Sequence, residues 1–248
     1  MNIVLIGYGK MGRIIERFAI SRGHQVGLII DEHNRGEITP EALQGYDAAI
    51  DFSTPSAAVS NIDLCFEAGL PVVVGTTGWY DELPAIKERC LAGNKTLMYG
   101  SNFSIGVNVF FHINRLLARA ISPYRQYDVQ VEEIHHTHKV DAPSGTAITI
   151  AEGILENNDS KSRWINNLIG DGEETVPKKD ELLIESHRID EVPGTHTVLY
   201  SSEVDQIEFK HTAHSRAGFA LGAVIAAEWL AGKKGFYTVT EMFNFTIT

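Results

Sequence analysis

Apolar and polar positions along this chain fall into short blocks whose period switches between that of a strand and that of a helix. Asn2 to Ile6 is an apolar run of strand length. After a glycine turn, Arg13 to Arg22 carries Ile14, Ile15, Phe18 and Ala19 at helical spacing, and Val26 to Ile30 is a second apolar strand. Strands at Asp47 to Phe52, Pro71 to Val74 and Thr96 to Tyr99 alternate with helices at Ser56 to Ala68 and Glu82 to Ala92. Alternation of this kind predicts an α/β domain with a parallel sheet. After a helix from Ile105 to Ala120 the order changes: strand at Tyr127 to Ile134, helix at Thr146 to Leu155, then strands at Leu182 to Arg188, His196 to Ser201 and Gln206 to His211. That succession predicts a second, mixed domain. The polar, Asn- and Lys-rich stretch from Asn157 to Asp180 reads as a flexible loop, and the alanine-rich helix Ala217 to Ala231 as a return to the first sheet.

The turn after the first strand is Gly7-Tyr8-Gly9-Lys10-Met11-Gly12, and the second strand closes on Asp31 about twenty residues later. A lone G-x-G-x-x-G is a weak signal. Placed between a strand and a helix, with an acidic residue after the next strand, it predicts dinucleotide binding. One glycine permits the tight turn, one lets backbone approach a pyrophosphate, and one lets the helix pack on the strand with its N-terminal dipole toward the anion. Ligands of such sheets lie beyond the carboxyl ends of the strands. Asp51 to Pro55, Gly75-Thr76-Thr77-Gly78 and Gly100-Ser101-Asn102-Phe103 are therefore expected to line one cleft. Gly75, Thr76 and Thr77 could offer amides and hydroxyls to a nicotinamide or its ribose; ordinary turn chemistry would use the same residues.

Composition narrows the partners. The 248 residues carry a net charge of -11, with no basic stripe, which argues against nucleic acid. Anions remain possible ligands where the few cations gather, which singles out Lys139 and Arg216. Cys65 and Cys90 lack metal or redox spacing and read as buried, reduced thiols. With no signal-type leader and no long apolar span, the expected compartment is the cytoplasm, with no membrane contact.

The densest chemistry lies at Glu132-Glu133-Ile134-His135-His136-Thr137-His138-Lys139-Val140-Asp141-Ala142-Pro143-Ser144-Gly145-Thr146-Ala147. Imidazoles exchange protons near neutral pH and a lysine supplies fixed positive charge, so the segment suits acid-base work on an anionic small molecule. Strand alternation would set His136 on one face and His135 and Thr137 on the other, giving the adjacent histidines different tasks. Ser144 is placed as a helix N-cap, and the amides that follow it make a seat for a carboxylate that Lys139 could neutralise. A zinc site of His135, His136 and His138 is disfavoured, because adjacent strand histidines diverge and no fourth ligand stands at a usual spacing.

These residues resemble the 4-hydroxy-tetrahydrodipicolinate (dihydrodipicolinate) reductase family nearly end to end. Glu133 to Ala147 fits that family's E-x-H-H-x-x-K-x-D-A-P-S-G-T-A; Val74 to Trp79, Ser101 to Asn108, Ser215-Arg216, Phe219-Ala220 and Gly222-Ala223 are further matches. The resemblance implies NAD(P)H-dependent reduction of a cyclic imine dicarboxylate in diaminopimelate and lysine biosynthesis. It also implies a Rossmann-type domain at 1–104 and 216–248 with an α+β substrate and oligomerisation domain inserted at 105–215, and a homotetramer. Carried over by position, His135 is the proton donor or acceptor, Lys139 a proton donor near the ring, and His136, Gly145 and Thr146 substrate contacts, with Ser144 beside them. The cofactor contacts are Gly7 to Gly12, Asp31, Gly75 to Thr77 and Gly100 to Phe103.

Relatives often have one more residue in the first loop, and an arginine after the acidic residue where they accept NADPH. Here Glu32 follows Asp31, and a carboxylate pair would repel a 2'-phosphate, so NADH is the expected preference, with Lys10, His33 or Arg35 able to admit NADPH. Two other readings use the same fold: a dehydrogenase of another amino or keto acid, and a nucleotide sensor without chemistry, which the intact His135 and Lys139 disfavour.

Overall fold

The structure is a computed structural model that describes residues 1–170, 175–243 and 245. In chain order its strands are β1 (Asn2–Ile6), β2 (Gln25–Ile30), β3 (Ala48–Asp51), β4 (Val72–Val74), β5 (Thr96–Tyr99), β6 (Asp128–His135), β7 (Arg163–Leu168), β8 (Glu181–Arg188), β9 (Thr195–Ser201), β10 (Gln206–Thr212) and β11 (Gly235–Thr238). The helices are α1 (Lys10–Ser21), α2 (Pro55–Ala68), α3 (Leu83–Ala92), α4 (Ile105–Ile121), α5 (Gly145–Leu155) and α6 (Ala217–Leu230). They divide into two compact units, Met1–Ile105 with Arg216–Thr248, and Gly106–Ser215.

The first unit is a parallel six-stranded sheet in the order β11-β5-β4-β3-β1-β2. Ile3 to Ile6 are all buried because both faces are covered, and alternate residues feed two cores. Val4, Ile6, Val72 and Val74 pack with Ile62 and Cys65 of α2 and Ile86 of α3; Ile3, Leu5 and Val73 pack with Ile15 of α1 and Ala223 and Ala227 of α6. Chain direction around β1 splits the sheet, with β2 on one side and β3 on the other, so a crevice opens beyond the carboxyl ends of β1 and β3.

The second unit is a mixed sheet in the order β10-β9-β6-β8-β7, in which β6, β8 and β7 are parallel and β9 runs antiparallel to β6 and β10. Its core joins Val129 and Val131 of β6, Ile184 of β8 and Val198 of β9 to Phe110 of α4 and Ile150 of α5.

The polar stretch Asn157 to Asp180 is not one loop: it contains β7, an edge strand whose Asn166 and Asn167 pair with Ile184 and Glu185. Residues 171–174 of that stretch lie outside the described residues. The first helix begins at Lys10 rather than Arg13, because the glycine turn itself enters the helix, and β11 extends the first sheet beside β5. Thr137 does not share a strand face with His135: β6 ends at His135, and the Thr137 amide donates to the Asp190 carbonyl at 3.1 Å.

Candidate active site

In the first unit the three glycines hold separate posts. Gly7 sits at φ +88°, and a Cβ there would overlap the Phe52 carbonyl; a Cβ on Gly12 would overlap the Gly7 carbonyl; a Cβ on Gly9 would meet open space. Gly9 is the N-cap of α1 and brings no side chain to cap it, so the first amides of the helix are left for a ligand. A cavity of ≈ 490 Å³ runs past Gly7, Tyr8, Gly9, Asp31, Glu32 and Ser53.

A buried carboxylate organises the cavity floor. Asp51 is fully buried and accepts hydrogen bonds from the Ser53 amide (3.1 Å), the Ser53 hydroxyl (2.9 Å), Asn61 Nδ2 (2.8 Å) and the Thr76 hydroxyl. Burial pushes its carboxyl above the usual range, against the pull of those bonds. The Thr76 hydroxyl is thereby committed inside the protein, and the Thr76 carbonyl accepts Trp79 Nε1 at 2.7 Å. A Cβ on Gly75 would overlap the Phe52 ring, and a Cβ on Gly100 would press on Val239. Phe103 is a core residue, 1% exposed; Asn102 Oδ1 accepts the Ser104 amide at 2.9 Å; Lys10, Thr77 and Ser101 are exposed, and Met11 packs partly on the core. Asp31 accepts the His33 amide at 2.9 Å. Arg35 donates to Asn61 Oδ1 (2.8 Å) and the Ser60 carbonyl (2.9 Å), so its guanidinium is already engaged.

In the second unit the chemistry grows out of the sheet's own alternation. Val129, Val131, Glu133 and His135 lie on one buried face of β6. Register then makes rows across the sheet. Val131 pairs with Ile184 and Val198, an apolar row; Glu133 pairs with Ser186 and His196, a polar one; His135 pairs with Arg188. The same face that packs the core thus becomes, two residues on, a buried ionisable cluster.

Glu133 is its centre. Fully buried, it lies with Oε2 2.8 Å from His135 Nδ1, while Oε1 accepts the Ser144 amide (3.1 Å) and Arg188 Nη2 (3.2 Å). Burial alone would push its carboxyl up; the polar neighbours His135, Ser144 and Ser186 outweigh that and hold it well below the usual carboxylate range. His196 stands edge-on to His135 with ring centroids 5.1 Å apart, and its Nε2 is 3.1 Å from Ser144 Oγ. Burial, reinforced by the neighbouring His135 charge, pushes it down to about 3.

Ser144 caps α5: its hydroxyl accepts the Ala147 amide at 3.2 Å and its carbonyl accepts the Ile148 amide at 3.0 Å. The amides of Gly145 and Thr146 are left at the helix start, where a Cβ on Gly145 would meet nothing within 4 Å. Lys139 pairs with both Asp141 oxygens at 2.7 Å, which holds that carboxyl below its usual range. Arg188 also donates to the Asp141 carbonyl at 2.7 Å and so ties the Lys139 loop to Glu133. Nδ1 of the half-buried His136 has no partner among the described residues, and exposed His138 lies 3.4 Å from Glu191.

The structure therefore gathers His135, Lys139, Ser144, Gly145 and Thr146 around Glu133. The three residues it adds are Glu133, Arg188 and His196. Strand alternation places Glu133 on the His135 face; Arg188 and His196 arrive through strand pairings that one sequence does not reveal. The ligand atoms of Glu133, His135 and His196 lie within 4.8 Å of one another. Two donors on one zinc stand about 3.3 Å apart for metal–ligand lengths near 2.0 Å, whereas Glu133 Oε2 and His135 Nδ1 stand 2.8 Å apart, the distance of a direct ion-pair contact.

Comparison with known proteins agrees with both halves. Residues 1–103 match the family model for the dihydrodipicolinate reductase N-terminus and residues 106–243 that for its C-terminus. A 4-hydroxy-tetrahydrodipicolinate reductase of Christiangramia forsetii is 46% identical over 98% of this chain and 98% of its own. One from Chromobacterium violaceum is 36% identical, again over 98% of each. Among solved structures, a dipicolinate-bound dihydrodipicolinate reductase from Paenisporosarcina sp. TG-14 shares the fold, with TM-score 0.77 at 23% identity over 98% of this chain and 100% of that one. On these matches, which run through both units, the chain belongs to the dihydrodipicolinate reductase family.

Proposed function

We propose that the protein is a 4-hydroxy-tetrahydrodipicolinate reductase, an NAD(P)H-dependent oxidoreductase that forms tetrahydrodipicolinate on the route to diaminopimelate and lysine. The observation that carries this reading is the buried Glu133–His135 pair beside a capped helix start with two unclaimed amides, in a chain 46% identical to a reductase of that name. Each part has a task. The Gly145 and Thr146 amides, at the positive end of α5, receive a substrate carboxylate, and His136 is a further substrate contact. Lys139 supplies positive charge by leaving Asp141 for the ligand or sharing its protons between them. His135 gives a proton to the conjugated imine as hydride arrives at carbon.

The crevice suits a dinucleotide because Gly7 and Gly12 permit approaches that a Cβ would block and Gly9 leaves room for a phosphate. Bound there, the dihydronicotinamide supplies the hydride. Gly7 to Gly9 and Asp31 line the cavity and hold the pyrophosphate and ribose, and Lys10, Met11, Gly12, Thr77 and the Gly100 to Phe103 loop complete the cofactor set. NADH is the preferred form: Asp31 and Glu32 both border the cavity, and Arg35 is held by Asn61 and Ser60. Residues 105–215 form the substrate and assembly domain of a cytoplasmic homotetramer, a mass that light scattering reads directly. No helix among the described residues is long and apolar enough to cross a membrane.

The test is oxidation of NADH, run beside NADPH, with freshly synthesised cyclic substrate. Turnover with kcat/KM for NADH above that for NADPH is expected. A His135→Ala variant should lose roughly a hundredfold in kcat with a milder change in KM, and Thr146→Ala should mainly raise KM. Turnover of aspartate or a 2-hydroxy acid, with none of the cyclic imine, would move the protein to another dehydrogenase class.

A further inference from the structure

Glu133 has no part in the reaction as set out above, yet it is the most enclosed charged group of the second unit's cluster. Three groups converge on it: His135 Nδ1 lies 2.8 Å from one oxygen, and the Ser144 amide and Arg188 donate to the other. An amide nitrogen and a guanidinium have only hydrogens to offer, and an ionised carboxylate has none. The proton between Glu133 and His135 therefore belongs to Nδ1 of the ring. That leaves Nε2 as the reacting nitrogen. It looks toward Gly194, where a Cβ would lie 3.0 Å away, so the absence of a side chain at that position keeps the reacting edge open.

Resting on the reductase reading, we propose that Glu133 is the positioning residue of this site. It holds His135 with hydrogen on Nδ1 so that only Nε2 delivers the proton, and through its other oxygen it fixes the Ser144 helix start, indexing the proton donor against the substrate carboxylate seat. Both halves follow from the connectivity. Ser144 is the cap whose next two residues carry the unclaimed amides, so the seat and the acid hang from the two oxygens of one side chain. In the catalytic step the Nε2 proton passes to the reduced ring while the Nδ1 proton stays on the ring, facing Glu133 Oε2, and the imidazole ends neutral.

The charges around His135 give the proposal a sign. Arg188 on β8 and Lys139 on the following loop are cations; His196 on β9 is neutral; Asp141 is taken by Lys139; Asp190 and Glu191 lie on the turn that leads to Gly194, with Glu191 facing His138. Glu133 is the buried anion that favours the charged imidazolium against those cations. Glutamine cannot replace it. If its carbonyl faces Ser144 and Arg188, its NH2 faces Nδ1 and drives the ring to the opposite tautomer; turned round, the NH2 meets two donors.

The decisive experiment combines Glu133→Gln kinetics with nitrogen NMR of ring-labelled histidine in the wild-type enzyme. Expected are a neutral His135 protonated on Nδ1 and, in the variant, kcat down by about tenfold or more with substrate KM within about threefold. The alkaline limb of kcat should move to lower pH in the variant, because the buried anion beside the ring is gone. Aspartate at 133 keeps the charge but shortens the reach, so Glu133→Asp should retain more of the pH profile than of kcat. An Nε2-protonated ring in the wild type overturns the proposal even if the glutamine variant does not fold. So does a variant with wild-type kcat and pH limb while His135→Ala is impaired. A fully active His135→Ala would instead remove the proton-donor reading itself, and the proposal with it.

Discussion

His196 is only 5% exposed, and burial keeps it neutral down to about 3. In an unfolded chain it would take a proton near pH 6.5. Below that pH the unfolded state binds a proton that the folded state refuses, so stability falls with pH between about 6.5 and 3, by about 2 kcal/mol at pH 5. Glu133 works in another window. Its folded carboxyl is held low, so its contribution is present above the unfolded value of about 4.3 and is lost only as pH falls below that. The acid sensitivity between pH 6.5 and 5 therefore belongs to the buried imidazoles, His196 foremost, with His211, also pushed down by burial, adding to it. Thermal melts of His196→Gln should show a visibly flatter fall in Tm between pH 7 and 5 than the wild type; parallel curves would assign that sensitivity elsewhere. Glutamine can still meet the Ser144 hydroxyl, 3.1 Å from the present Nε2, which limits the loss from substitution itself.

Two glycines at the starts and contacts of helices separate scaffold from site. A Cβ on Gly222 of α6 would overlap the Phe103 carbonyl, so Gly222→Ala forces the helix off its loop and should cost about 1 to 3 kcal/mol. Gly145 opens α5 into free space, so Gly145→Ala should leave Tm nearly unchanged and raise substrate KM by about tenfold, because the methyl stands in the proposed seat. Melting curves and KM measured on both variants check the contrast; a destabilised Gly145→Ala with unchanged KM would remove Gly145 from the seat. What was legible in the sequence follows the same division. The apolar strands of the first sheet and the cap at Ser144 declare themselves locally, by period and by residue type. β7 does not, because Arg163-Trp164-Ile165-Asn166-Asn167-Leu168 is a polar edge strand whose asparagines resemble loop, and β11 is four residues opening on a glycine at φ +132°. Of the residues around Glu133, the Ser144 cap and the place of His135 on its strand were legible because their signals are contiguous. The partnership of Glu133 with His196 and Arg188 was not, since it depends on which strands pair and in what register. Thr76 misleads for a related reason: a hydroxyl after a strand looks available until the buried Asp51 beside it is seen to claim it.

At the scale of the whole molecule, the chain carries a net charge of -11, yet both proposed ligands are anions. Each is met by the same device, the start of a helix that follows a strand: α1 after β1 in one unit, α5 after β6 in the other. Helix-terminus amides and single cations act over a turn or so, whereas net charge acts over a Debye length, about 30 Å in 10 mM salt and about 8 Å in 150 mM. Long-range attraction is therefore not what brings the dicarboxylate in; at low salt the far field repels it, and only the last few ångströms are favourable. Raising NaCl from 10 to 150 mM should then leave kcat/KM for the dicarboxylate within about twofold or increase it, because the salt screens repulsion more than it weakens short, partly desolvated contacts. An enzyme steered by a basic funnel behaves in the opposite way, losing on-rate as salt is added. A tenfold fall over the same range, measured as initial rates at subsaturating substrate, would show that the local cations Lys139 and Arg188 govern approach as well as docking, and that the acidic remainder of the surface lies too far from the seat to be felt.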